Sequence, residues 1–161
     1  MEFPIDRGPS SLARAFDSPE AKRSHVRRLF TTIAGRYDLI TRVLSFGRDR
    51  YWKGRLLDLA CVEPDQRVLD LACGTGDLAF GAAVRGATVT GLDLTPRMIQ
   101  FARARQDEGR ERVRWRRGDM TRLPLPGGSG DVVTPGYGLR NVPDLPVALA
   151  EIHRVLRPGG V

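Results

Sequence analysis

The hydrophobic positions of this chain change their period once. From Pro19 they recur at helical spacing, with Val26, Leu29, Phe30 and Ile33 at i, i+3, i+4 and i+7 on one apolar stripe. Gly35 closes that predicted helix. A second apolar set, Leu39, Ile40, Val43 and Leu44, ends at Ser45-Phe46-Gly47. A third helix is predicted from about Arg48 to Ala60, with Trp52, Leu56 and Leu59 inward. After Glu63-Pro64-Asp65, short apolar runs alternate with helical stretches. Strands are predicted at 67–71, 87–92, 113–116 and 131–134. Helices are predicted at 77–84, from N-cap Thr95 and Pro96 to about Glu108, and at 145–156, where Pro158-Gly159-Gly160 stops the last one. This alternation predicts an α/β fold: a Rossmann-like, doubly wound, mostly parallel sheet of about four strands behind an N-terminal helical cap. The expected division is a disordered arm over 1–19, the cap over 20–62 and the sheet domain over 63–161.

Composition narrows the partners. The chain has 161 residues, 41% hydrophobic and 28% charged, ordinary values for a globular domain. Its net charge of +7 comes almost wholly from arginine. That suits an anionic partner or a membrane surface, although a GC-rich genome explains an arginine bias equally well. Arg112, Arg114, Arg116 and Arg117 interleave with Val113 and Trp115, which reads as a solvated strand face, and no nucleic acid is expected. Cys61 and Cys73 form no CxxC pair and have no histidine nearby, so they are expected to be reduced thiols, with no metal site. The start Met-Glu-Phe-Pro-Ile-Asp does not resemble a secretory leader, and no apolar run reaches the ~20 residues of a membrane span. A cytoplasmic protein is expected.

The segment Asp70-Leu71-Ala72-Cys73-Gly74-Thr75-Gly76-Asp77 joins the first predicted strand to its helix. Gly74 and Gly76 allow a sharp turn and close approach to a ligand. Together with Ala79 they also satisfy the dinucleotide spacing G-x-G-x-x-G/A, with Asp93 near the place of a ribose-binding acid, so the glycines alone do not choose a ligand. Charge favours one. A pyrophosphate needs the bare helix N-terminus, and here Asp77 and Asp70 flank it. S-adenosylmethionine has no phosphate and presents an ammonium, a sulfonium and hydrogen-bond donors. Asp70, Asp93 and Asp119 stand at three consecutive strand ends, where an open parallel sheet binds its ligand. Asp93 is expected to take the ribose hydroxyls and Asp119 the adenine amino group, with Met120 against the ring.

Further segments are more specific. Tyr37-Asp38-Leu39-Ile40-Thr41, Leu44-Ser45-Phe46-Gly47 and Arg50-Tyr51-Trp52-Lys53 resemble the N-terminal signature of the ubiquinone/menaquinone biosynthesis C-methyltransferases. Val68 to Leu78 resembles their cofactor motif, Gly138-Leu139-Arg140-Asn141-Val142 their motif after the fourth strand, and Arg154 to Gly160 the start of their C-terminal signature. The resemblance covers about residues 24–161. It implies methyl transfer from S-adenosylmethionine to a ring carbon of a polyprenyl quinol, a demethylmenaquinol or a benzoquinol precursor of ubiquinone. It also implies cofactor contacts at Thr75, Asp93, Asp119 and Met120, and a reaction centre at Arg140 and Asn141. Arginine stays protonated, so Arg140 would stabilise a phenolate or hold a water, not act as a base. Tyr37 and Asp38 would close the pocket from the cap. His153 is assigned no catalytic part. A lipid-tailed substrate implies contact with a membrane surface.

Thr41 and Pro135 depart from the family pattern, and Pro135 removes a backbone donor at the end of the fourth strand. The family's fifth strand and its later elements are not among the 161 residues, so a sheet lacking C-terminal strands and a bare fourth-strand edge are expected. A cofactor- or partner-binding paralogue without activity and a methyltransferase for another small molecule stay open, as does an oligomer. A dinucleotide oxidoreductase is the more distant alternative.

Overall fold

The computed structural model describes residues 18–107 and 113–161; Arg112, Glu108 and the first seventeen residues of the predicted arm lie outside them. Ser18 caps the first helix, α1 (Pro19–Ile33), by accepting the Ala21 amide at 3.1 Å, with proline in the first turn. A short 3-10 turn, Ala34–Arg36, leads into α2 (Tyr37–Leu44). Then come α3 (Asp49–Leu59), β1 (Arg67–Leu71), α4 (Asp77–Val84), β2 (Thr88–Asp93), α5 (Pro96–Asp107), β3 (Arg114–Arg117), β4 (Val132–Thr134), a 3-10 turn at Leu139–Asn141 and α6 (Leu145–Val155). The boundaries expected from sequence shift by one or two residues at most, as helix and strand ends commonly do.

The four strands are parallel in the order β3-β2-β1-β4. Each strand alternates its side chains between two apolar layers. Val68, Val89, Val132 and Trp115 pack with α3, α4 and α5 residues such as Leu57, Ala79 and Ile99. Leu69, Leu71, Leu92 and Val133 pack with Ala148 and Val155 of α6. Helices thus cover both faces, and the loops at the C-terminal strand ends lie side by side.

Two expectations about packing change. Trp52 and Leu59 do not point inward: they are 53% and 66% exposed, while Leu57 is 2% exposed. The inward stripe of α3 is Asp49, Lys53, Leu57, spaced i, i+4, i+8, and its first two members are charged. The edge of β4 is also not bare. The Val161 amide donates to Asp131 O at 3.0 Å, and the Val133 amide donates to Val161 O at 2.8 Å. Arg114, Arg116 and Arg117 are exposed around buried Trp115, as the alternation on that strand implied, and His153 is exposed.

Candidate functional site

The loop after β1 needs three left-handed residues in five: Ala72 at φ +52, Gly74 at φ +56 and Gly76 at φ +93. Ala72 is the strained one, since a Cβ disfavours this region. The two glycines differ in purpose. A Cβ on Gly76 would stand 2.5 Å from the Trp115 ring, and one on Gly91 of β2 would meet the same ring at 2.5 Å. That indole lies under the loop, edge-on to Phe80 at 5.4 Å between ring centroids, with its Nε1 donating to Gln106 Oε1 at 2.8 Å. Gly76 is therefore required by packing as well as by conformation. Gly74 faces the open side, where a Cβ would meet only Tyr37 Cε1 at 3.8 Å.

The three strand-end acids have different surroundings. Asp70 is 1% exposed on β1 and accepts from Thr134 Oγ1 at 3.0 Å through Oδ1. Its Oδ2 is buried with no hydrogen-bond partner; the nearby Ala79 amide acts on the carboxyl without satisfying that oxygen. Burial pushes the Asp70 carboxyl up to about 7, against the lowering effect of Thr134. Asp93 accepts the Gly74 amide at 2.9 Å and the Thr95 amide at 2.7 Å, one on each oxygen. It thereby ties the glycine loop to the start of α5, and the Thr95 side chain is a further donor to the carboxyl. Burial raises its pKa, offset in part by those amides. Asp119 lies two residues past β3; its Oδ1 accepts from the Thr121 amide and hydroxyl at 2.9 and 2.7 Å. Its Oδ2 pairs with Arg23 Nε of α1 at 2.6 Å, a close ion pair not aligned as a hydrogen bond. Met120 is buried in the layer with Leu92 and Val142.

Asp77 corrects the charge argument made from sequence. Its carboxylate is not a free repellent for a phosphate: Lys53 Nζ reaches it at 2.7 Å and Arg105 Nη2 at 2.6 Å. Burial raises the Asp77 carboxyl, but these two cations outweigh it and its pKa is lowered. With Asp77 neutralised and Asp70 near half protonation at neutral pH, loop charge does not by itself exclude a pyrophosphate. What does bear on ligand choice is the orphaned Asp70 oxygen, a buried acceptor fitted to a cation or donor.

Arg105 and Lys53 also build the joint between cap and loop. Arg105 Nη1 donates to Thr75 O at 2.8 Å and lies 3.5 Å from Asp38 Oδ2, and Thr75 Oγ1 donates to Asp38 Oδ1 at 2.6 Å. Lys53 bridges Asp77 to Asp49 of α3, the latter at 2.5 Å. Thr75 is thus engaged by the cap, and Tyr37 stands over Gly74. Burial raises the Tyr37 phenol, against its contact with Thr41 and the nearby Lys53 and Arg140 cations.

Arg140 and Asn141 sit in the 3-10 turn after β4. Arg140 is exposed with its guanidinium 6.0 Å from the Tyr137 ring centroid, and Asn141 is half-buried. Gly138 joins this turn to the others: a Cβ there would stand 2.5 Å from Ala72 Cβ, 3.0 Å from Pro135 O and 3.2 Å from Met120 Cε. The structure therefore brings Asp70, Gly74, Tyr37, Met120 and Arg140 to one end of the sheet. Among the described residues no group of three His, Cys, Asp or Glu could hold a metal ion, and no helix is long and apolar enough to cross a membrane.

Sequence reading missed Arg105, Lys53 and Asp49. A signal for Arg105 existed: it falls at i+3 from Ala102 and i+7 from Met98, both fully buried, so a charge stood on the inward stripe of α5.

Comparison with known proteins places this arrangement. The sequence pattern of the ubiE/COQ5 methyltransferase family matches residues 18–161. Demethylmenaquinone methyltransferase of Thermus thermophilus is 46% identical over 134 residues, 82% of this chain and 61% of that protein. Ubiquinone/menaquinone biosynthesis C-methyltransferase UbiE of Rubrivivax gelatinosus is 39% identical over 156 residues, 94% of this chain and 61% of that one. Among solved structures, the YcgJ protein of Bacillus subtilis superposes with a TM-score of 0.63 at 31% identity, over 67% of this chain and 47% of that chain. The chain spans 58–61% of the length of the curated relatives it matches. Matched along nearly all of its described length, the chain belongs to the ubiE/COQ5 methyltransferase family.

Proposed function

We propose that the protein carries the cofactor half of an S-adenosylmethionine-dependent C-methyltransferase acting on a polyprenyl quinol, a demethylmenaquinol or a ubiquinone-pathway benzoquinol. The observation that carries this reading is the unpartnered buried Oδ2 of Asp70 at the floor of the glycine loop, in a chain of this family. A buried acceptor of this kind costs free energy until a donor or cation meets it. The ammonium of S-adenosylmethionine is such a group.

Asp70 would hold the ammonium, with Gly74, Thr75 and Gly76 shaping the loop around it. Asp93, oriented by two amides, would accept the ribose hydroxyls. Asp119, steadied by Arg23 and Thr121, would accept the adenine amino group, with Met120 flanking the ring. When bound, the cofactor supplies a methyl group made electrophilic by the sulfonium. Arg140 stays cationic and lowers the energy of a phenolate, which concentrates charge on the ring carbon to be methylated. Asn141, beside it, positions the quinol oxygen. Tyr37 and Asp38 close the pocket from the cap and exclude water.

Support for a membrane-surface location at the cytoplasmic side comes from α2 and its turn. Leu39, Ile40, Val43, Leu44 and Phe46 are exposed, on a chain of net charge +7. The quinol partner would be drawn from that surface.

The test is direct. The protein is incubated with methyl-labelled S-adenosylmethionine and a prenylated naphthoquinol or benzoquinol, and label is counted in the lipid extract. Label on a ring carbon supports the reading. Calorimetric titration showing no S-adenosylmethionine binding, or tight NAD binding, overturns it.

A further inference from the structure

A second cavity, of about 390 Å³, opens beside the reaction centre and is lined almost wholly by carbon. Its walls include Trp52, Leu56 and Leu59 of α3, Leu78 of α4 and Tyr137 after β4. Lys53 and Arg55 also line it; the Lys53 ammonium is turned away onto Asp49 and Asp77, so from that residue the cavity receives only the methylene stem. Here the outward Trp52 and Leu59 acquire a reason. They are large apolar groups held at the rim of a concave site, the kind of wall a small apolar ligand needs. The other cavity, lined by Asp38, Arg42, Asp49, Asp77 and Arg105, is polar and belongs to the joint between cap and loop.

Tyr137 fixes the order of the two sites. One part of its ring closes the apolar cavity, and the Arg140 guanidinium stands over the same ring at 6.0 Å. A ligand whose polar head lies at Arg140 therefore has its apolar continuation directed at Trp52 and Leu56. We infer that this cavity binds the ring-proximal isoprene units of the polyprenyl substrate. The inference rests on the function proposed above. It adds a subsite that takes the tail and sets its direction, separate from the groups that act on the ring. The cavity has room for a short length of branched hydrocarbon, and its open rim lets a longer tail pass out between Trp52 and Leu59.

Trp52 supplies a direct readout, because the chain has two tryptophans and the Trp52→Phe variant isolates the emission of Trp52 by difference. Farnesol, a prenyl chain without a quinol ring, is titrated into the protein. A saturable blue shift of Trp52 emission is expected, with Leu59→Lys weakening the binding about tenfold, and Leu56→Asn doing the same should the rim variant prove mild. Leu59 is exposed, so its variant folds as the parent does. In turnover, Leu59→Lys raises KM for a geranyl-bearing quinol about tenfold and leaves KM for the tail-less quinol unchanged. No saturable Trp52 response to farnesol, or equal KM changes for tailed and tail-less quinols, overturns the tail subsite. Methylation of the tail-less quinol with no farnesol response sinks the subsite alone. Farnesol binding with no methylation of any quinol sinks the proposed reaction and leaves an isoprenoid site.

Discussion

The sheet end and the cap are held by different forces. Around β1, Val68, Leu71, Ala79 and Val132 are almost wholly buried, and the glycine loop is moulded onto Trp115. The cap helices α1 and α2 bury no residue completely. They attach through charged groups instead: Arg23 to Asp119, Lys22 Nζ to Val142 O at 2.5 Å, and Asp38 to Thr75 and Arg105. Apolar layers fix a shape with little regard to salt or pH, whereas exposed ion pairs are worth little each and weaken with salt. The lesson is a division of labour, in which a rigid floor carries the strand-end acids and a charge-fastened cover lies over them.

The contrast is tested most severely at the floor. Gly76→Ala places a methyl group against the Trp115 ring and forces φ +93 on an L side chain. It should cost about 3 kcal/mol of stability, read as a lowered urea midpoint. A midpoint unchanged within error means that the indole does not sit where described. Next comes the joint. Arg105→Met removes the bonds to Thr75 and Asp77 and is expected to weaken S-adenosylmethionine binding about tenfold, with a much smaller drop in thermal stability than Gly76→Ala. Equal losses of binding and stability would make Arg105 a core residue and nothing more.

The third test uses pH. Asp70 sits near half protonation at neutral pH because burial raises it to about 7. A cationic ammonium needs the ionised form, so affinity should rise about fivefold from pH 6 to pH 7, where the ammonium itself stays mostly protonated, with a proton released on binding in that range. The ligand-free protein responds in the opposite sense. A carboxyl whose folded pKa lies above its unfolded value stabilises the fold below the unfolded pKa, and that stability is lost as pH rises through the folded pKa. Asp70→Asn abolishing the pH slope supports this partner; a flat profile for the parent protein removes Asp70 from the ammonium site. The smallest effect belongs to the cover. Raising salt to 1 M should increase proteolytic nicking within α1 and α2 by a few fold, at a cost below about 1 kcal/mol, and leave the sheet's far-UV signal unchanged.

Much of the floor was legible from sequence because parallel strands covered on both faces read as short apolar runs, and because glycines and acids recur where such sheets bind ligands. What stayed hidden depended on contacts distant in sequence. Asp77 reads as a bare negative charge until Lys53 and Arg105, 24 and 28 residues away, are seen on it. The inward face of α3 was misread in part for a related reason: hydropathy picks Trp52 and Leu59 beside Leu56, which does pack on the core, whereas the stripe that turns in begins with an ion pair, Asp49 and Lys53. Ala72 gave no sign of its left-handed backbone, because nothing in its residue type asks for one. The roles expected of Arg140 and Asn141 came from family resemblance; the placement of Arg140 beside Tyr137 and near Tyr37 came from the fold.

Gly138 ends as more than a turn residue. Its bare Cα is the point where the loops after β1, β3 and β4 touch, through Ala72, Met120 and Pro135. Three loops that share one contact without a methyl group's clearance are packed against one another at this point. A displacement of the glycine loop at Ala72 would press directly on the turn that carries Arg140, without a hinge or a relay. In mechanical language the sheet end behaves as a single jaw, and its stiffness is set at a position that carries no side chain at all.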